Sequence, residues 1–258
     1  MRTLRLFLAA AGRFLLVAAF FSFFSARTSA QLQRNDSERQ LFESINRERT
    51  AQGLSPLQWD NNLFKAARKH ALLMLNLNML EHQLPNEPKL EDRLAEAGAR
   101  FAAIAENIAI GPSAETIHNG WMKSPGHRKN MLDPRLTSIG IAAVRGPGGL
   151  YAVQDFSQFV PELSFEQQEQ KVISLLTARG FRLADATDGA RKTCASDAGL
   201  SGTSAKSMMR FEVSDLNNLP EEIERKIRSG PLGKAAVGAC HANGTSSFSR
   251  YRIAILFF

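Results

Sequence analysis

Between residues 36 and 159 the spacing of apolar positions changes character several times. Leu41, Phe42 and Ile45 lie on one helical face. Asp36 or Ser37 can cap that helix and Gly53 can stop it, so a helix is predicted to about Gln52. Leu54 to Trp59 reads as an extended connector. Leu63, Ala66, Ala67, His70, Ala71, Met74 and Leu77 then recur at three- and four-residue steps. They predict a long, well-packed helix capped by Asp60 or Asn61. Pro85 and Pro88 mark a loop after His82, and Leu90–Ala97 reads as a short helix ended by Gly98. Ile104 to Ile110 is apolar except around Glu106. Ser113 opens a helix carrying Ile117 and Trp121, which Ser124-Pro125-Gly126 ends, and His127 to Leu132 adds a turn or two. Thr137–Arg145 and Leu150–Phe159 read as two strands of a hairpin joined through Gly146-Pro147-Gly148-Gly149. Helices followed by a hairpin predict an α+β layer structure over residues 36–160.

Composition shifts after Pro161. Phe165 to Arg179 reads as a helix stopped by Gly180, and Arg191 to Lys206 as a loop rich in small residues. Glu221 to Arg228 reads as a short charged helix, and Ala235–His241 and Tyr251–Phe258 as strands. These predict a second, smaller α+β domain over residues 165–258, or an extension packed on the first. No internal repeat is visible in the sequence.

The first thirty residues have the layout of a cleaved signal peptide. Arg2 and Arg5 precede the apolar run Leu15–Phe24, and Thr28-Ser29-Ala30 ends in a small residue. The expectation is a secreted or periplasmic protein, with an uncleaved N-terminal anchor as the alternative. Arg13 interrupts the apolar stretch, and no later run is long enough to span a bilayer, so no stable transmembrane anchor is expected. The formal net charge is +7, but four of those charges, Arg2, Arg5, Arg13 and Arg27, leave with the signal, so the mature chain carries +3. No basic stripe remains, which argues against nucleic acid as a partner. The two cysteines, Cys194 and Cys240, are expected to pair in an oxidising compartment, the alternative being two buried thiols. Such a bond is worth about 4 kcal/mol in the chain-entropy model.

Glu106 is the first candidate for chemistry, because a carboxylate among apolar residues needs a cation, a hydrogen bond or a metal. His82 and His127, each at a loop–helix junction, are its candidate partners. A His82–Glu106–His127 cluster can bind a divalent cation, orient water or grip a polar ligand. The plainer readings are a surface loop histidine for His82, turn chemistry for His127 and a solvated charge for Glu106. His70 reads as a core or surface histidine, His118 as solvent-facing, and His241 as part of the other domain.

The blocks Asn46-Arg47-Glu48-Arg49 with Gly53–Asp60, Glu81-His82, Ala105-Glu106-Asn107-Ile108, Gly120-Trp121-Met122, Ser124–Leu132 and Tyr151–Phe156 follow one order. Together they resemble the CAP domain of cysteine-rich secretory proteins, antigen 5 and pathogenesis-related 1 proteins, also called the SCP domain. The resemblance implies an α-β-α sandwich with a cleft holding two His and two Glu. His82, Glu106 and His127 match three of these. The fourth, a Glu shortly after the family's Trp, is absent: Met122, Lys123 and Ser124 follow Trp121, as in the bacterial branch, and Ser124 is the nearest polar substitute. The resemblance further implies that Trp121 packs under the cleft and that Asn130 bonds backbone near the histidine. Arg128 and Lys129 stand as rim charges or ordinary solvated side chains.

Three functions follow as expectations. The first is an exported binding module holding a divalent metal such as Zn²⁺ through His82 and His127 with Glu106 close by. A lipid-like molecule or cell-envelope component would occupy an adjoining apolar groove. The second is a hydrolase with Glu106 as general base on metal-bound water, or with Ser124 as nucleophile and His127 as base. The third is an adhesion or structural protein in which the C-terminal part carries the interaction.

Overall fold

The computed structural model describes residues 34–196, 199–200, 203–229, 233–242 and 246–258, and the expected signal over residues 1–30 lies outside them. The first half runs α1 (Asp36–Ala51), β1 (Gln58–Trp59), α2 (Asn61–Leu77), α3 (Leu90–Glu96), β2 (Phe101–Gly111), α4 (Ala114–Lys123), α5 (Pro125–Met131), β3 (Ser138–Gly146) and β4 (Gly149–Phe159). The second runs α6 (Phe165–Thr177), β5 (Arg182–Leu183), α7 (Thr187–Ala195), β6 (Ser207–Val213), α8 (Glu221–Ser229), β7 (Lys234–Cys240) and β8 (Tyr251–Phe257). The architecture is α+β, with two four-stranded sheets.

Local chemistry sets the helix starts. The Asn35 side chain accepts from the Glu38 amide while Glu38 reaches back to the Asn35 amide, a reciprocal cap on α1. Asp60 caps α2 through the amides of Asn62 and Leu63. Pro125, expected only to end α4, also opens α5 as its first residue, where its missing N–H and fixed φ cost nothing.

In the first sheet the order is β1-β3-β4-β2, with β1 parallel to β3 and the other pairs antiparallel. Phe64, Ala67, Ala71 and Met74 of α2 cover one face with Ile108, Ala142 and Val153. Leu41 and Ile45 of α1, Ile117 and Trp121 of α4 and Met131 of α5 cover the other, against Ile139, Ile141, Ala152 and Phe156. This is the α-β-α sandwich that the sequence led us to expect.

The second sheet has the order β5-β7-β8-β6, again with one short parallel strand beside an antiparallel three. Helix α7 meets one face through Ala190, Ala236 and Leu256, while α6 and α8 bury Val172, Leu176, Ile223 and Ile227 on the other with Val237, Ile253 and Ile255. The two halves thus repeat one topology that no sequence repeat announces. A glycine marks the shared register. A Cβ on Gly140 of β3 would lie 2.1 Å from the Phe64 amide nitrogen at the start of α2, and one on Gly238 of β7 would lie 2.1 Å from that of Arg191 in α7. Gly140 pairs with Asp155 and that with Glu106; Gly238 pairs with Ala254 and that with Arg210.

Three expectations change. Residues 191–195, read as loop, are the end of α7, whose polar sequence is held by packing and by the Cys194–Cys240 disulfide to β7. Strand β6 was not foreseen, although Met209, Phe211 and Val213 alternate with Arg210 and Glu212. Strands β1 and β5, two residues each, are too short to carry any alternation.

A strap joins the halves. Ser249 donates its amide to the Phe101 carbonyl at 2.8 Å, the Phe248 and Phe101 rings meet at 5.2 Å, and the Ser247 hydroxyl donates to Asp92 at 2.6 Å.

The glycine contacts are testable. Backbone cannot retreat as a flexible side chain can, so Gly140→Ala and Gly238→Ala are each expected to lower stability by about 3 kcal/mol. Gly120 in α4 faces open space, so Gly120→Ala is expected to raise stability by about 0.5–1 kcal/mol. Denaturant unfolding checks all three, and wild-type stability in either of the first two contradicts the close approach.

Candidate functional site

The side chain of Glu106 lies on the α2 face of β2 and is only 3% exposed. Its Oε1 accepts a hydrogen bond from His82 Nδ1 at 2.7 Å, and its Oε2 accepts from Arg93 Nη2 at 2.9 Å. His70 of α2, fully buried, holds Nε2 3.8 Å from the same Oε2 and bonds Glu87 through Nδ1 at 2.9 Å. Arg93 also stands 3.5 Å from Glu87. Two carboxylates, a guanidinium and a histidine are therefore buried together, with His82 as their outlet: its side chain is 58% exposed.

The loop that carries His82 is pinned from below. Leu84 plugs the core beside α2, and Gln83 donates to the Glu87 carbonyl at 2.6 Å. Arg93 Nη2 adds a bond to the His82 carbonyl at 3.3 Å.

His127 sits on α5, which is stitched to β2 by side chains. Asn107 Nδ2 donates to the His127 carbonyl at 3.2 Å, and Asn130 Nδ2 donates to the Glu106 carbonyl at 3.2 Å and to Asn107 Oδ1 at 3.0 Å. Trp121, buried beneath, donates Nε1 to the Ile108 carbonyl at 3.1 Å. Arg49 holds the far end of α5. Its buried guanidinium donates to the carbonyls of Ser55, Met131, Asp133 and Leu136 at 2.9–3.1 Å. Ser124 precedes α5 and its hydroxyl makes no capping bond.

Charge separates the two histidines. The hydrogen bond to Glu106 raises the proton affinity of His82 against the opposing pull of burial. His127 is shifted the other way, first by burial and then by the charge of His82. Burial alone would raise the Glu106 carboxyl, but the His82 bond and the Arg93 charge outweigh it and hold it below its ordinary value.

Glu106 was expected as one of three metal ligands. Both of its oxygens are engaged inside the protein, and among the described residues no three His, Cys, Asp or Glu side chains stand in a metal-holding arrangement. In the structure Glu106 is the carboxylate behind His82, a relation common where the other ring nitrogen of a histidine binds metal. His82 keeps Nε2 for such a role, and the ring of His127 bonds no described residue. His118, expected to face solvent, is 7% exposed, with Nε2 3.8 Å from Glu48 of α1. Sequence reasoning also missed Glu87, Arg93 and Asp155. Asp155 carried the same signal as Glu106, an acid within an apolar strand. A cavity of about 400 Å³ between the halves, lined by Phe159, Val160, Leu163, Leu216 and Tyr251, does not include the histidines.

The model of the cysteine-rich secretory protein family, CAP, matches residues 42–156, which span every element of this site. Residues 42–156 form a CAP domain. Among relatives of the CAP domain, the uncharacterized protein YkwD of Bacillus subtilis is 38% identical over 128 residues, covering 49% of each chain. The uncharacterized membrane protein YlbC of the same organism is 34% identical over 113 residues, 42% of this chain and 32% of that one. The chain thus spans about half or less of the length of the curated relatives it matches. An extracellular SCP-domain protein of Bacillus anthracis superposes with a TM-score of 0.45 at 30% identity, covering 47% of this chain and 40% of that one. An outer surface protein of Borrelia burgdorferi gives a TM-score of 0.45 at 21% identity, covering 49% and 98%.

The His82–Glu106 pair of the CAP domain has a signature in pH. His82 takes protons more readily folded than unfolded, so its contribution to stability is complete below its ordinary value of 6.5 and fades as pH rises through the raised folded value. Glu106 titrates lower when folded, so its contribution is complete above 4.5 and fades as pH falls through the lowered value. The stability lost in His82→Ala is expected to peak between pH 4.5 and 6.5 and to shrink on both sides. Denaturant midpoints from about pH 3 to about pH 9 check this, and a loss that grows above about pH 8 contradicts it.

Proposed function

We propose that the CAP domain is an exported binding module that holds a divalent metal ion such as Zn²⁺ on His82 Nε2 and the ring of His127, with Glu106 fixing His82 from behind. The observation that carries this reading is the 2.7 Å bond between a buried carboxylate and an exposed imidazole. A histidine that merely sits on the surface has no reason to be anchored by a carboxylate that costs several kcal/mol to bury. Here the carboxylate fixes the ring and its tautomer, and the free Nε2 points the donor outward. A bound cation would supply a Lewis-acidic centre with open positions for the polar end of a ligand. In this reading the ligand is a small lipid-like molecule or a cell-envelope component. Export is supported by the signal-like pattern of Arg2, Arg5 and Leu15–Ala30. Among the described residues no helix is long and apolar enough to cross a membrane.

Two observations count against hydrolysis. Glu106 is nearly inaccessible and both of its oxygens are bonded, so it is not placed to take a proton from water in the cleft. Ser124 and His127 share no hydrogen bond among the described residues.

Calorimetric titration of the full chain with Zn²⁺ tests the proposal. Wild type is expected to bind, His82→Ala and His127→Ala to lose the binding heat, and Glu106→Gln to bind about 10–100-fold more weakly. No heat with wild type, or equal heat with His82→Ala, overturns it.

A further inference from the structure

The resemblance implies a second carboxyl in the cleft, and none follows Trp121, where Met122, Lys123 and Ser124 stand. Asp155 lies on β4 directly opposite Glu106, in the middle of the sheet and wholly buried. Across it on β3 stands Gly140, which offers no side chain to pair with, and the backbone of α2 closes over that glycine. Neither Asp155 oxygen receives a hydrogen bond from any described residue. The charged and titratable groups acting on it include Glu106 on β2, Arg93 on α3 and Glu87 in the loop before α3, and His70 of α2 stands beside the same Glu106, its Nε2 3.8 Å from Oε2. Arg93 makes its close contacts to Glu106 and Glu87, not to Asp155. An ionised carboxylate at this position would be buried without a donor, beside a second carboxylate already ionised, which is the arrangement that protein interiors avoid. A neutral carboxyl has an O–H to give, and Glu106 has lone pairs left after accepting one bond on each oxygen.

We propose that Asp155 is the second carboxyl of the site, a protonated positioning residue that donates its hydrogen bond to Glu106 and so keeps that carboxylate aimed at His82. This rests on the reading of His82 as a ligand-bearing histidine backed by Glu106. Asp155 makes no hydrogen bond or ion pair with either histidine; its influence passes through Glu106. Burial and the neighbouring Glu106 charge both push the Asp155 carboxyl well above the ordinary aspartate range, in agreement with that geometry. The second sheet provides an internal contrast. There the positions in the same register are Ala254 and Arg210, so the acid pair of the first sheet has no counterpart in the second.

The two halves of the proposal are read separately, on the full-length mature protein. The first readout is infrared difference spectroscopy at neutral pH without added metal. Wild type is expected to show the carbonyl stretch of a protonated carboxylic acid, shifting in D₂O and disappearing in Asp155→Asn. Absence of the band, or its survival in Asp155→Asn, overturns the protonated state whether or not the site binds metal. The second readout is Zn²⁺ affinity, measured on variants whose cooperative unfolding shows that they are folded. Asp155→Asn keeps a donor toward Glu106 and is expected to stay within about threefold of wild type. Asp155→Leu has none and is expected to bind about tenfold more weakly or worse. Equal affinity of the asparagine and leucine variants overturns the positioning role. Failure of wild type itself to bind Zn²⁺ removes the metal reading and leaves the infrared result to decide Asp155.

Discussion

Glu106 is a carboxylate held almost out of water, and the arrangement around it follows from that cost. Desolvation opposes its charge, so cations or donors must approach from every accessible side. Arg93 comes from α3, His82 from the loop that α3 closes, and His70 from α2. Arg93 then needs a second anion, which Glu87 supplies, and Glu87 in turn bonds His70. The network closes on itself, and the one member left facing outward is His82. Removing any single interior member takes a partner from at least one buried charge, so the placements of α2, α3 and β2 depend on one another.

The sheet beneath makes this possible. Gly140 brings α2 onto the sheet, which sets His70 over β2 and leaves room for the polar layer between helix and strands. The second half repeats the strand order and the glycine contact with different contents. Beneath α7 the disulfide Cys194–Cys240 packs with Ala254. The first half fills its layer with charge and aims a histidine outward; the second fills it with a covalent tie. The polar layer belongs to the matched CAP segment, and the second sheet joins it through the strap at Ser247–Ser249.

Much of the first half was legible from residues alone. The three- and four-residue steps of α2, the caps at Asp60 and Ser113, and the hairpin around Pro147-Gly148 all state their conformation locally. Glu106 was legible for the same reason, since an acid in an apolar strand demands a partner. Arg93 and Glu87 were not, because a charge in a short helix or loop looks the same whether it meets solvent or a buried carboxylate. His118 was misread because α4 has one apolar stripe in sequence but packs against α1 over a wider face. In the second half, α7 is a polar helix whose buried residues are Ala190, Thr193 and Cys194, so composition alone read its end as loop. The repeated topology left no trace in sequence because strand order depends on pairing between distant segments.

The bond between Glu106 and His82 is the claim on which the account stands, and nitrogen-resolved NMR of the histidine rings observes it directly. At neutral pH the account places a slowly exchanging, strongly downfield proton on His82 Nδ1, which Glu106→Gln removes while the His118 ring signals stay in place. A His82 ring that exchanges its Nδ1 proton with water as freely as an exposed side chain, with the same spectrum in Glu106→Gln, would contradict it.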